Sequence, residues 1–139
     1  MKLDLTSLEK ALKSYENALG FAKERLNNPV SSVESNVVKA GVIQNFEFTY
    51  ELCWKFMKRW LEFNLMPGLL DGVSRKELFR HALEHKLILD FNTWVKYHEL
   101  RNTTSHTYNY EIAEEIYEMA DEFFLDAKHL YQMIEAKNE

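Results

Sequence analysis

A chain of 139 residues with 46% hydrophobic, 14% aromatic and 28% charged residues has the profile of one soluble globular domain around a single core, and a disordered chain is excluded. Four Gly and two Pro leave few sharp turns, which favours long helices over many short strands. The formal net charge of −5 rules out a global attraction to nucleic acid, so any RNA contact has to use a local patch.

Thr6-x-x-Glu9 has the form of a capping box. Behind it Leu8, Leu12, Tyr15, Leu19, Ala22 and Leu26 recur at alternating steps of four and three, one apolar stripe on a long first helix. Asn27-Asn28-Pro29 ends it, because proline disfavours helical geometry in the residue before it. A second helix is predicted from between Ser32 and Val37 to about Phe63, with a middle from Phe46 to Leu61 that is apolar on several faces and therefore central. Its polar exceptions Gln44, Glu47, Glu51, Lys55 and Lys58 form one stripe. Met66-Pro67-Gly68 to Gly72 reads as a loop, and Ser74-x-x-Glu77 as a capping box opening a shorter helix through about Leu87. A fourth helix starts near Asp90 or Asn92, buries Trp94, Val95 and Tyr97 or His98, and frays around Thr103. The last carries Ile112, Ile116, Met119, Phe123, Ala127, Leu130 and Ile134 on one face. The expectation is an all-α, four- to five-helix antiparallel bundle, one domain over residues 1–139.

Between the last two helices lies Arg101-Asn102-Thr103-Thr104-Ser105-His106-Thr107-Tyr108. In a continuous helix Arg101 and His106 would stand about 140° apart. The intervening short polar residues compete for backbone hydrogen bonds and favour a helix end, which would let His106 fold back toward Arg101. Such a group suits phosphate chemistry. A guanidinium grips a phosphate bidentately, and an imidazole moves protons near neutral pH. With RNA the substrate brings its own nucleophile, the 2′-hydroxyl, so neither metal nor cofactor is expected. The bland alternative is a helix C-terminus stabilised by a cation and a capping histidine.

Arg-x-x-x-x-His-x-Tyr before the final helix of a small helical bundle resembles the HEPN superfamily. Ile43-Gln44-Asn45-Phe46-Glu47-Phe48-Thr49-Tyr50-Glu51-Leu52-Cys53-Trp54-Lys55 resembles the second helix of its nucleotidyltransferase substrate-binding, HepT-like branch. The resemblance covers nearly the whole chain. It implies a homodimer that partners a small nucleotidyltransferase encoded nearby, and either a toxin-like, metal-independent endoribonuclease or a non-catalytic substrate-binding module. Carried over, Arg101 and His106 would be the RNase pair and Tyr108 the phenol that the transferase adenylylates. Asn102, beside the arginine, fits the family pattern. One histidine per chain cannot comfortably be both base and acid in a cyclising cleavage, so a two-fold dimer bringing two motifs together would supply the second.

Asn102, Glu47, Glu51 and Lys55 are candidate cleft-lining residues beside Arg101. The competing reading is a solvated face on which Glu51 and Lys55 form an i,i+4 pair. Lys55, Lys58 and Arg59 form a small basic patch interleaved with Trp54 and Trp60, able to track a phosphate backbone or simply to lay stems over apolar surface. His81 and His85 are one turn apart, but no third ligand stands out and no metal site is expected. The chain has no Gly-rich phosphate loop and no Gly-Ser…Asp-x-Asp signature, so it is not itself the transferase. The lone Cys53 reads as a buried thiol. Without an apolar leader or spanning stretch, the chain is expected to be cytoplasmic and off the membrane.

Overall fold

The structure, a computed structural model, describes residues 2–104 and 110–138. The described residues form five helices: α1 (Thr6–Leu26), α2 (Ser32–Asn64), α3 (Arg75–Glu84), α4 (Phe91–Thr104) and α5 (Tyr110–Ala136). Among the described residues there is no strand.

The apolar stripes decide how the helices meet. Leu8, Leu12, Tyr15, Leu19 and Ala22 of α1 and Ile116, Met119, Phe123, Ala127, Leu130 and Ile134 of α5 are all buried. They close on α2, whose Val42, Phe46, Tyr50, Cys53, Met57 and Leu61 complete the core. The Leu3 amide donates to Asn138 Oδ1 at 2.8 Å, and the Tyr15 hydroxyl donates to the Ala120 carbonyl at 2.8 Å, so α1 and α5 run antiparallel. Lys39 meets Glu114 and Phe46 meets Phe123, so α2 runs parallel to α5. Helices α3 and α4 pack beside α2 at the end where α2 carries Tyr50 and Trp54. Phe123 sits at the centre, with the rings of Phe46, Tyr97, Tyr15 and Trp94 at 4.8, 4.9, 5.7 and 6.0 Å, all near edge-on.

The local signals at the helix ends were partly realised. Ser74 caps α3 by accepting the Glu77 amide at 3.2 Å, and Ser31 caps α2 by accepting that of Glu34 at 3.1 Å. Thr6 does not cap α1. Asp4 takes that work, accepting from both the amide and the hydroxyl of Thr6 at 3.0 and 2.6 Å. Helix α3 stops at Glu84 rather than near Leu87, because Lys86 adopts a left-handed φ of 61°. The Lys86 and Leu87 amides then return to the Leu83 and Ala82 carbonyls, a Schellman closure. Helix α4 continues through Asn102, Thr103 and Thr104, where the polar run was expected to fray it. The two threonine hydroxyls donate back to the Glu99 and Arg101 carbonyls, both at 2.8 Å, so they serve the helix instead of competing with it.

Candidate functional site

The last turn of α4 presents Arg101 to two carboxylates one turn apart on α2. Arg101 Nη1 lies 3.0 Å from Glu47 Oε2, and Nε lies 3.5 Å from Glu51 Oε1. The second contact lacks hydrogen-bond alignment and is electrostatic only. The Arg101 side chain is 24% exposed and that of Glu47 28%, so the pair is shielded from solvent far more than an ordinary surface bridge. Thr104 Oγ1 lies 3.1 Å from the same Glu47 oxygen and shares its one proton between it and the Arg101 carbonyl, and the Trp54 indole donates to Glu51 Oε2 at 3.1 Å. Both carboxylates are therefore held from two sides. This fixes the guanidinium at the end of α4, immediately before the segment that carries His106 and Tyr108. Those two residues lie outside the described residues.

A second network stands one turn back on α4. Tyr50 Oη and Asn102 Nδ2 approach His98 Nδ1 and Nε2 at 2.8 and 3.2 Å. With the Asn102 amide donating, Nε2 is the lone-pair nitrogen and Nδ1 carries the proton toward Tyr50; turning the amide over exchanges the two tautomers. Either arrangement suits a neutral imidazole. Burial first, and then the Arg75 guanidinium, hold His98 below its ordinary value of 6.5, against the opposing pull of Glu51 and Glu99. Burial is also the main cause that raises the Tyr50 phenol far above its usual range.

Arg75, the first residue of α3, lies over Trp54 with its guanidinium carbon 3.3 Å from the ring centroid. Desolvation lowers its pKa. Its Nε is buried without a hydrogen-bond partner, and among the described residues no carboxylate comes within ion-pair distance of it.

The α2 stripe seen in the sequence thus divides. Glu47 and Glu51 meet Arg101, and Asn102 reaches His98. Lys55 is exposed, with its ammonium 5.7 Å from the Trp54 ring centroid, and Glu51 pairs with Arg101 instead of with Lys55. Gln44 turns to a groove of about 470 Å³ between α1 and α2, also lined by Lys10, Ser14, Asn45 and Phe48. None of the residues that hold Arg101 lines that groove. Of the basic patch, Arg59 lies over Phe56 at 5.0 Å and Trp60 is buried. His81 and His85, at the end of α3, do not converge on a metal: His85 Nδ1 is 3.0 Å from the His81 carbonyl, and His81 Nδ1 is 3.9 Å from Glu84. Among the described residues no group of three or more His, Cys, Asp and Glu side chains could hold one, and no helix is long and apolar enough to cross a membrane.

Sequence reasoning missed His98, Tyr50 and Arg75. His98 stands one turn before Asn102 and Tyr50 one turn after Glu47, so helical spacing from the motif residues could have found both. Nothing local marks Arg75, which joins the site only because α3 folds back onto α2.

Known proteins share this architecture throughout. A Haemophilus influenzae protein named Probable ribonuclease HepT is 35% identical over 141 residues, which cover 99% of this chain and 96% of the relative. A solved Haemophilus influenzae structure, described as revealing the fold of a substrate binding domain of a nucleotidyltransferase, superposes with a TM-score of 0.86 at 34% identity, covering 95% of this chain and 99% of that one. A Thermus thermophilus crystal structure superposes with a TM-score of 0.62 at 27% identity, over 86% of this chain and 98% of that one. The family model described as nucleotidyltransferase substrate binding protein like matches residues 3–136, nearly the whole chain with both α2 and the Arg101 motif inside it, and the chain belongs to that family.

Proposed function

We propose that this chain is the partner subunit of a small nucleotidyltransferase and a HepT-type, metal-independent endoribonuclease that acts on single-stranded RNA. The observation that carries the proposal is the double carboxylate clamp on Arg101, which holds a guanidinium at the threshold of the segment bearing His106. In the cleavage, His106 takes the proton of the RNA 2′-hydroxyl as that oxygen bonds to phosphorus. The bond from phosphorus to the 5′-oxygen breaks, the leaving oxygen receives a proton, and a 2′,3′-cyclic phosphate remains. Arg101 offsets the charge that gathers on the phosphoryl oxygens. The proton for the leaving group comes from His106 of a second copy, in a homodimer whose two motifs share one cleft.

An uncovered face of α2 supports the dimer. Val33, Val37, Gln44, Phe48 and Lys55 project within about 60° of one another around that helix. Val33, Val37 and Phe48 are 71, 68 and 66% exposed, and the face adjoins Glu51 and Glu47. Adenylylation of the Tyr108 phenol by the transferase, with AMP joined to the phenolic oxygen and pyrophosphate leaving, would place a bulky anion beside the Arg101–His106 pair and silence it.

A second reading, a non-catalytic module that presents a substrate to the transferase, draws support from the same clamp. Two carboxylates partly neutralise Arg101 and weaken its grip on an anion. The two readings separate on purified protein in excess chelator. Cleavage of single-stranded RNA that disappears in Arg101→Ala and His106→Ala supports the ribonuclease, and activity that survives both substitutions overturns it. A stable complex with the transferase and no cleavage supports the presenting module. Mass analysis after incubation with the transferase and ATP reads the modification, and label on any residue other than Tyr108 refutes that part.

A further inference from the structure

Arg75 is a cation in an unusual position. It is half-buried, it stacks on Trp54, its Nε is an orphan donor, and no carboxylate described lies within 4 Å of it. Withdrawing a cation from water without a counter-charge is costly, and proteins normally neutralise such a group with a partner or a bound anion. The nearest acid that influences it is Glu51, and that carboxylate is already engaged by Arg101 and the Trp54 indole.

Beside Arg75 opens a pocket of about 200 Å³ lined by Trp54, Lys58, Val73, Ser74, Arg75 and Leu78. Two cations line it and no acid does. The nearest carboxylate on α3, Glu77, is turned to Ser74, whose hydroxyl lies 3.2 Å from Glu77 Oε1. Arg75 lies against the Trp54 ring with its guanidinium carbon 3.3 Å from the centroid, so the face it covers is not open to a stacking base. What the pocket offers is charge and donors.

We infer that Arg75 and Lys58 form a phosphate subsite that binds a backbone phosphate of single-stranded RNA about three nucleotides from the one held at Arg101. The inference rests on the ribonuclease reading above. Seven residues separate Glu51, which faces Arg101, from Lys58, about 10 Å along α2. A stacked strand covers that gap in roughly three steps of about 3.4 Å each. The subsite and the Arg101 clamp lie along one helix, joined by Glu51 and Trp54, so a single strand laid along α2 meets both. Sequence-independent grip at a point removed from the scissile bond would set how long an RNA must be to bind well.

The test is fluorescence anisotropy with a labelled 2′-O-methyl octanucleotide, which lacks the attacking hydroxyl and cannot be cleaved. Arg75→Gln and Lys58→Gln are compared with Lys13→Gln, which removes the same charge from α1, a helix that does not pack on α3. Lys58→Gln leaves the Arg75–Trp54 stack in place and so reports even if Arg75→Gln perturbs folding. The expected result is a loss of affinity on the order of tenfold for each subsite variant. Each should also lower the slope of log affinity against log salt by about 0.7, with Lys13→Gln behaving as wild type. Binding that Arg101→Gln weakens but neither subsite variant alters would overturn the subsite and leave the ribonuclease reading standing. No binding of the octanucleotide by wild-type protein would remove both. If the subsite variants lose binding of free AMP while keeping that of the octanucleotide, the pocket takes a mononucleotide and the assignment to RNA backbone is wrong.

Discussion

Arg101 Nη1 and Glu47 Oε2 meet at 3.0 Å across the junction of α4 and α2, fifty-four positions apart in the chain. A pair this shielded gains more from its Coulomb attraction than a surface bridge, and removing one partner strands the other. Glu47 also accepts the Thr104 hydroxyl, so its carboxylate ties the last turn of α4 to the central helix.

Glu47→Gln keeps the shape of that contact and removes its charge. The expected cost is about 1–2 kcal/mol, between the range for exposed pairs and that for buried ones. It would be read from the urea midpoint at unchanged slope. An unshifted midpoint would mean that Arg101 is held by packing alone.

The His98 imidazole, held below 6.5 chiefly by burial and then by Arg75, links stability to pH. The unfolded chain takes up this proton near the ordinary value, whereas the native ring resists it. Stability from this group is present above the unfolded value and is lost as pH falls toward the native one. Urea midpoints from about pH 7.5 to about pH 5.5 should fall less steeply in His98→Gln than in wild type. Equal slopes in the two proteins would contradict the linkage.

Phe123 carries four edge-on aromatic contacts from three helices. Phe123→Ala should cost about 3–5 kcal/mol through lost transfer energy and an unfilled cavity. Calorimetry or urea unfolding measures this, and a loss below about 1 kcal/mol would show that the aromatic centre does not hold α2, α4 and α5 together.

Lys86 closes α3 with a left-handed backbone that glycine adopts without strain. Lys86→Gly relieves roughly 1–2 kcal/mol of strain and gives back part of it through the freer unfolded chain. A net gain of about 0.5–1 kcal/mol is expected, seen as a higher melting temperature. A lower one would place Lys86 in a role beyond the turn.

Much of this could be read locally. The stripes of α1 and α5 come from side chains three and four apart, which one helical face places together whatever the rest of the chain does. Most residues that the spacing picks out are buried; Leu26 and Ile112, at the helix ends, are only partly so, and the core also takes Ala11, Ala113 and Ala120, which the spacing does not pick out. Ser74 caps α3 because its acceptor and the Glu77 amide are separated by one turn. The same kind of signal failed at Thr6 and at Asn102–Thr104. A neighbouring aspartate outcompeted the first, and hydroxyls bonded back to carbonyls let the helix continue through the second.

By itself the sequence determined the all-α class, a bundle of four to five helices, the presence of carboxylates on one stripe of α2 and a guanidinium near the end of α4. These follow from interactions that reach no farther than a helical turn. Only the tertiary structure decided that Glu47 and Glu51 take Arg101 while Lys55 goes to the Trp54 ring, that His98 lies between Tyr50 and Asn102, and that Arg75 comes to rest on Trp54. Each of those contacts joins separate helices or chooses among neighbours on one face. The choice is made when the apolar stripes are buried together and set how α3 and α4 lie against α2, and no local periodicity contains it.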